Sequence, residues 1–140
     1  MKNVFIDTNI LMDIFANRQP FVHNSLKIYT LGVDKKIQLF STSKTIITLH
    51  YLLKRLIPEE KIRMALDEII QNIEIIPVDA TIIKKSLKSN HKDFEDAIQI
   101  VSAQSIHNMD CIVTRDLKDF KFSEINVFTP DEFLTKINNN

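Results

Sequence analysis

Three aspartates stand where the sequence pattern turns from strand to helix, and together they suggest a site for a hard cation. Asp7 ends the apolar run Val4-Phe5-Ile6 and opens the polar triplet Asp7-Thr8-Asn9. Asp116 follows a second apolar run, Cys111-Ile112-Val113, and Asp96 lies in the acidic helix start Asp93-Phe94-Glu95-Asp96. Open α/β sheets aim reactive groups into the crevice at the carboxyl ends of their strands, so acids from two strand ends and a helix start can converge there. A cation such as Mg²⁺ takes oxygen ligands, keeps several waters and needs only one or two carboxylates plus substrate phosphates. Such an ion activates water and neutralises developing charge in phosphodiester cleavage. Without it, clustered carboxylates repel one another. Each acid also has a simpler role open to it. Asp7 and Asp93 are preferred helix caps, Asp96 suits the positive end of a helix, and Asp116 suits a turn.

The elements that must position these acids alternate in type. Residues 4–6 read as a buried strand and 8–16 as a short helix, followed by a loop that Pro20 closes. Helical spacing of Val22, Leu26, Ile28 and Tyr29 predicts a helix over 21–31, with Gly32 at its end. A brief strand over 37–40 leads through Ser41-Thr42-Ser43 to helices over 44–56 and 58–71. A strand over 74–78 and helices over 80–88 and 93–107 follow, then strands over 111–113 and 126–128. Thr129-Pro130-Asp131-Glu132 opens the last helix, with Thr as cap, Pro in the first turn and acids matched to the dipole. Strands alternating with helices in short units predict a three-layer α/β/α sandwich around a central parallel sheet.

At 140 residues the chain fits one domain, expected over 1–137 with a frayed end at 138–140. Eighteen basic and eighteen acidic side chains cancel, so no overall charge recruits a polyanion, although a local basic rim is compatible with that balance. The single Cys111 rules out an internal disulfide and a cysteine-based zinc site, and within an apolar strand it reads as a buried, inert thiol. Gly32 is the only glycine, which excludes a P-loop and a dinucleotide fingerprint, both of which need several. No apolar run has the length of a signal peptide or a membrane span, so a soluble, cytoplasmic protein without a membrane role is expected.

Other polar residues read more simply. His23, His50, His91 and His107 show no paired ligand spacing and are taken as structural or surface residues. The cluster from Ser41 to Thr45 satisfies strand-end and helix-start backbone groups rather than supplying a nucleophile. Lys54, Arg55, Lys61 and Arg63 form a solvated helix face, whereas Arg115 and Lys118 flank Asp116 and are the better candidates for contact with a nucleic acid.

With these residues in view, the chain resembles a PIN domain, and most closely the bacterial VapC-like toxin group. The likeness rests on Val4-Phe5-Ile6-Asp7-Thr8-Asn9-Ile10-Leu11, on Asp93-Phe94-Glu95-Asp96-Ala97-Ile98-Gln99, and on Val113-Thr114-Arg115-Asp116-Leu117-Lys118-Asp119-Phe120. It runs in order from residue 5 to residue 133. The resemblance implies a Mg²⁺- or Mn²⁺-dependent endoribonuclease, commonly a toxin silenced by a small antitoxin, and a homodimer. Carried over by position, Asp7, Asp96 and Asp116 are the catalytic metal ligands. Thr114 is the hydroxyl beside the last of them. Thr8, Asn9, Thr48, Asp93, Glu95 and Asp119 are supporting candidates, and Arg115 and Lys118 are the RNA contacts.

One position departs from the family pattern. Many VapC-like proteins carry a Glu just before a segment like Leu49-His50-Tyr51-Leu52-Leu53, where this chain has Thr48. A hydroxyl brings no charge to a metal site, so Glu95, Asp93 or Asp119 would have to compensate. Glu95 ranks ahead of Asp119, even though adjacent helical residues point about 100° apart. The rival reading is a degenerate PIN scaffold that binds RNA or a protein without cutting. A third, with Asp7 as a phosphatase nucleophile of the haloacid dehalogenase type, wants a second Asp two residues on, where Asn9 stands.

Overall fold

The structure, a computed structural model, describes residues 1–139. Five strands, β1 (Lys2–Ile6), β2 (Ile37–Thr42), β3 (Glu74–Ile76), β4 (Cys111–Val113) and β5 (Val127–Phe128), form one sheet in the order β3-β2-β1-β4-β5. Every pairing is parallel. The helices are α1 (Thr8–Phe15), α2 (Val22–Val33), α3 (Ser43–Leu53), α4 (Glu59–Asn72), α5 (Ala80–Leu87), α6 (Phe94–Gln104) and α7 (Pro130–Asn138). A 3₁₀ turn at Leu117–Phe120, absent from the sequence reading, follows β4.

Strand alternation divides the apolar residues between two cores. Val4 and Ile6 of β1, Leu39 of β2, and Cys111 and Val113 of β4 point into one core with Ile10, Leu49, Ile62 and Phe133. Phe5, Phe40 and Ile112 point the opposite way, into a second core with Ile82, Ile98 and Phe120. Both faces are therefore covered, as near-continuous apolar strands in a parallel sheet require. This is the three-layer sandwich that the alternating pattern predicts.

Most element limits shift by one to three residues from the sequence reading, and two differences have clear physical causes. Gly32 does not end α2; the helix continues to Val33. Its role is close packing, because a Cβ on Gly32 would collide with Cδ1 of the buried Leu39 and stand 2.8 Å from its Cγ. The chain end does not begin to fray at 138. Helix α7 extends through Asn138, and the Asn139 N–H donates to the Thr135 carbonyl at 3.2 Å. The anchor at the other end of α7 is a complete capping box, with Thr129 and Glu132 each bonding the other's backbone N–H. Asn140 lies outside the described residues. Among those described, no helix is long and apolar enough to cross a membrane.

The contact at Gly32 sets an expectation for Gly32→Ala. Overpacking against Leu39 costs about 1–3 kcal/mol, and the better helix propensity of Ala returns at most about 1. Urea unfolding of the variant should show a lower midpoint at unchanged slope. A higher midpoint would mean that Leu39 yields without cost.

Candidate active site

The order of strands across the sheet reverses between β1 and β4, which makes that pair the topological switch point. Register Ile6↔Val113 brings the two strands to their ends side by side, and the Asp7 N–H still donates to the Val113 carbonyl at 3.0 Å. Asp7 and Thr114 thus leave the sheet as neighbours, with Asp116 two residues farther on. Helix α6 starts at Phe94, which brings Asp96 toward the same crevice from the opposite layer.

Asp7 is 3% exposed and occupies the N-cap position of α1, yet its side chain makes no capping hydrogen bond. The capping role is thereby set aside. Its carboxylate instead accepts from Gln99 Nε2 at 2.9 Å on Oδ1 and from Thr114 Oγ1 at 2.8 Å on Oδ2. The Gln99 carbonyl accepts in turn from the Thr8 N–H at 3.0 Å and Thr8 Oγ1 at 3.2 Å. Thr8 Oγ1 lies 2.8 Å from Thr45 Oγ1, and Thr42 Oγ1 donates to Thr45 Oγ1 at 3.2 Å. With its carbonyl committed to Thr8, Gln99 can present only its NH₂ group to Asp7. Burial raises the proton affinity of Asp7, while the bonds from Gln99 and Thr114 and the N–H groups of Asn9 and Thr8 work against that rise. Asn9 itself is exposed at the crevice mouth.

The other acids gather around this fixed carboxylate. Asp96, half-buried, is pushed up to about 7 by desolvation and then by the charges of Asp7, Asp93, Asp119 and Asp116. Asp119 is also raised, first by its hydrogen bond with the Asp116 carboxyl. Asp116 is exposed, and its N–H donates to Thr114 Oγ1 at 3.0 Å, so one hydroxyl orders two acids. Asp93 proves to be the cap of α6, accepting from the Asp96 N–H at 2.9 Å. Among the described residues no three His, Cys, Asp or Glu side chains form a ready-made group around a metal position. The donors nevertheless fit a hard divalent cation by type, since all are oxygens, and the repulsion felt at Asp96 is the strain that such a charge relieves.

The wall beside Asp7 carries a cation. A cleft of about 150 Å³ is lined by Asp7, Asp96, Gln99, Lys44, Thr48 and Glu95, among others. Lys44 Nζ donates to Thr48 Oγ1 at 2.7 Å and pairs with Glu95 Oε1 at 3.3 Å. Thr48 and Glu95 therefore both engage Lys44. Glu95 pairs with Lys44 at the exposed rim, whereas Asp119 lies beside Asp116, which raises its proton affinity.

Arg115, expected as an RNA contact, is engaged within the fold. Its Nε and Nη2 donate to Asp13 Oδ2 at 2.7 Å and Oδ1 at 3.0 Å, and its guanidinium lies 3.7 Å from the Phe21 ring centre. Asp13 is fully buried in α1, so it needs this partner, and the pair fastens the segment carrying Thr114 and Asp116 to α1. Lys118 stays exposed on the 3₁₀ turn. Sequence reasoning missed Asp13 and Gln99, although helical spacing signals both. Asp13 follows Ile10 by three residues on an apolar face, and Gln99 follows Asp96 by three. The remaining minor residues behave as read. Ser43 Oγ accepts from the Val78 N–H, Thr42 caps α3, and His50 pairs with Glu59.

Comparison with known proteins places this geometry among relatives. A family model described as "PIN domain" matches residues 3–118. Ribonuclease VapC1 of Aquifex aeolicus (strain VF5) is 30% identical over 142 aligned positions, covering 98% of this chain and 96% of that protein. Among solved structures, a toxin-antitoxin complex from Klebsiella pneumoniae is 27% identical with a TM-score of 0.66, over 91% of this chain and 97% of that one. DNA-bound VapBC from Salmonella typhimurium shares the fold at 16% identity and a TM-score of 0.67, over 93% and 99% of the two chains.

The acid cluster sets a pH dependence for the metal-free protein. A carboxyl at about 7 in the fold and 3.8 in the unfolded chain binds its proton more tightly when folded. Stability therefore falls as pH rises from about 4 to 7. Thermal melts in EDTA should show this fall in the wild type and a much flatter profile in Asp96→Asn. Above neutral pH the variant should be the more stable by about 1 kcal/mol, a figure discounted for partial exposure. Parallel profiles would contradict the crowding of charge at Asp96.

Proposed function

The chain belongs to the PIN-domain family, and from that premise we propose that it is a VapC-type endoribonuclease, the toxin of a toxin–antitoxin pair. The observation that carries this reading is the buried Asp7 carboxylate at the switch point, held from two sides and sharing a cleft with Asp96, on which the charge of Asp116 also acts. Asp7, Asp96 and Asp116 would hold Mg²⁺ or Mn²⁺, with Asp119 beside Asp116 in support. A bound cation of this kind supplies positive charge to the phosphodiester and acidifies the attacking water.

The chain's own groups contribute separately. Gln99 and Thr114 fix the direction of the Asp7 oxygens, so orientation costs nothing when the cleft fills. Asp96 is pushed up to about 7 by burial and the surrounding carboxylates, and a bound cation would favour its deprotonated form. Lys44, in the first turn of α3, places an ammonium on the wall facing the acids, where it can exchange Glu95 for a phosphate oxygen. The partner side of the proposal is supported by the Klebsiella relative, which is itself a toxin–antitoxin complex.

One observation favours the rival, a scaffold that binds without cutting. Thr48 brings no charge, and its hydroxyl accepts from Lys44. The same assay decides between them. Purified wild type should cleave RNA with Mg²⁺ or Mn²⁺ and lose that activity in EDTA. Asp7→Asn should lose at least about a hundredfold, the scale of removing one preorganised group at a reacting centre. Intact RNA under all conditions, with RNA binding preserved, would favour the scaffold. Equal cleavage by wild type and Asp7→Asn would overturn the assignment of the site.

A further inference from the structure

Phe122 is the most exposed of the nine phenylalanines, at 52%, and it is displayed rather than loose. Two residues earlier, Phe120 is 1% exposed and rooted in the second core. The Ser123 N–H donates to the Phe120 carbonyl at 3.0 Å, and Ser123 Oγ both donates to the Ile125 carbonyl and accepts from the Ile125 N–H. The turn that carries Phe122 is thereby tied at both ends. Its ring has two polar neighbours. The His91 ring centre lies 6.5 Å away at a tilt of 50°, and Lys121 Nζ stands 5.1 Å from the Phe122 centroid.

Position links this platform to the crevice. His91 stands two residues before Asp93, the cap of α6, and Phe122 stands three residues after Asp119. Lys118 and Lys92, both exposed, are close enough to Asp119 to lower its proton affinity, which adds two cations to the surroundings of the acids. An exposed aromatic ring among lysines is how single strands are held without sequence readout. Bases stack on the ring while ammonium groups follow the backbone. A protein partner would instead favour a contiguous apolar patch, and lysines interrupt this one.

Resting on the ribonuclease reading above, we propose that Phe122, framed by His91 and Lys121, is a stacking platform for an unpaired base of single-stranded RNA whose neighbouring phosphates enter the acid crevice. Duplex RNA keeps its base faces inside the helix and offers nothing for the ring to cover. The platform therefore selects strandedness.

The chain contains no tryptophan, so Phe122→Trp gives a fluorophore that reports from this position alone. The titrant is a single-stranded RNA oligonucleotide, or a blunt-ended duplex of the same sequence, added in EDTA so that cleavage does not intervene. Saturable quenching by the single strand and little by the duplex is expected. Phe122→Ala and Phe122→Leu should weaken single-strand binding roughly tenfold, and Phe122→Tyr should restore it. Lys121→Ala should reduce the salt slope of binding by about 0.7. An unchanged fluorescence at saturation, equal quenching by duplex, or wild-type binding by Phe122→Ala would overturn the proposal. So would quenching by a cognate antitoxin but not by RNA, which would assign the ring to a protein contact. Failure of the nuclease reading is separable: RNA left uncut with divalent cation, yet still quenching in EDTA, sinks that reading and leaves this one standing.

Discussion

The burial of one carboxylate organises this molecule. Asp7 ends a strand on which Val4, Phe5 and Ile6 are fully buried, and the sheet carries its side chain out of water with them. A charge in that position is costly unless hydrogen bonds replace its hydration. Gln99 from α6, Thr114 from the end of β4 and the chain's own N–H groups at Thr8 and Asn9 do so. Each comes from a different part of the fold, and the hydroxyl chain through Thr8, Thr45 and Thr42 adds α3. The crevice is therefore assembled by the same bonds that make burial of Asp7 tolerable.

Two acids of α1 and its cap show opposite electrostatic solutions within one short stretch. Asp13 is fully buried and closed off by a two-point contact with Arg115, with Arg18 at 3.8 Å. Asp7 shares its cleft with Asp96, and among the described residues no arginine pairs with the acid cluster. The nearest cation in its cleft, Lys44, is shared with Glu95 and Thr48 at the rim. The structure thus satisfies the acid that fastens the Asp116 segment and leaves the crevice short of positive charge. A satisfied pair gives a fixed frame, and an unsatisfied acid cluster is the electrostatic condition under which the proposed cation would bind.

Much of this arrangement was legible in the sequence, because its main determinants are local. The apolar runs before Asp7 and Asp116 mark strands buried on both faces, and the Asp93 cap marks the start of α6. These features marked the layers, the parallel sheet, and the strand-end and helix-start positions of Asp7, Asp116 and Asp96. What was missed depends on contacts between distant residues. Arg115 beside Asp116 looks like a free cation until Asp13, 102 residues away, is known to be buried opposite it. Gly32 looks like a helix stop until Leu39 is seen to need the space of its absent side chain. Glu95 ranked ahead of Asp119 despite its helical phase, and only the fold shows Lys44 beside Glu95 and a tight 3₁₀ turn that carries Asp119 next to Asp116.

The central claim is that the crevice around Asp7 is a site for a divalent cation. Calorimetric titration with Mn²⁺ at about pH 6.5, repeated in two buffers of different ionisation heat, tests it without any substrate. Wild type should bind Mn²⁺ and release more than about half a proton as Asp96 gives up its own. Asp7→Asn should lose most of the binding heat and the proton release with it. Absence of binding heat in the wild type, or an identical titration with Asp7→Asn, would contradict the account.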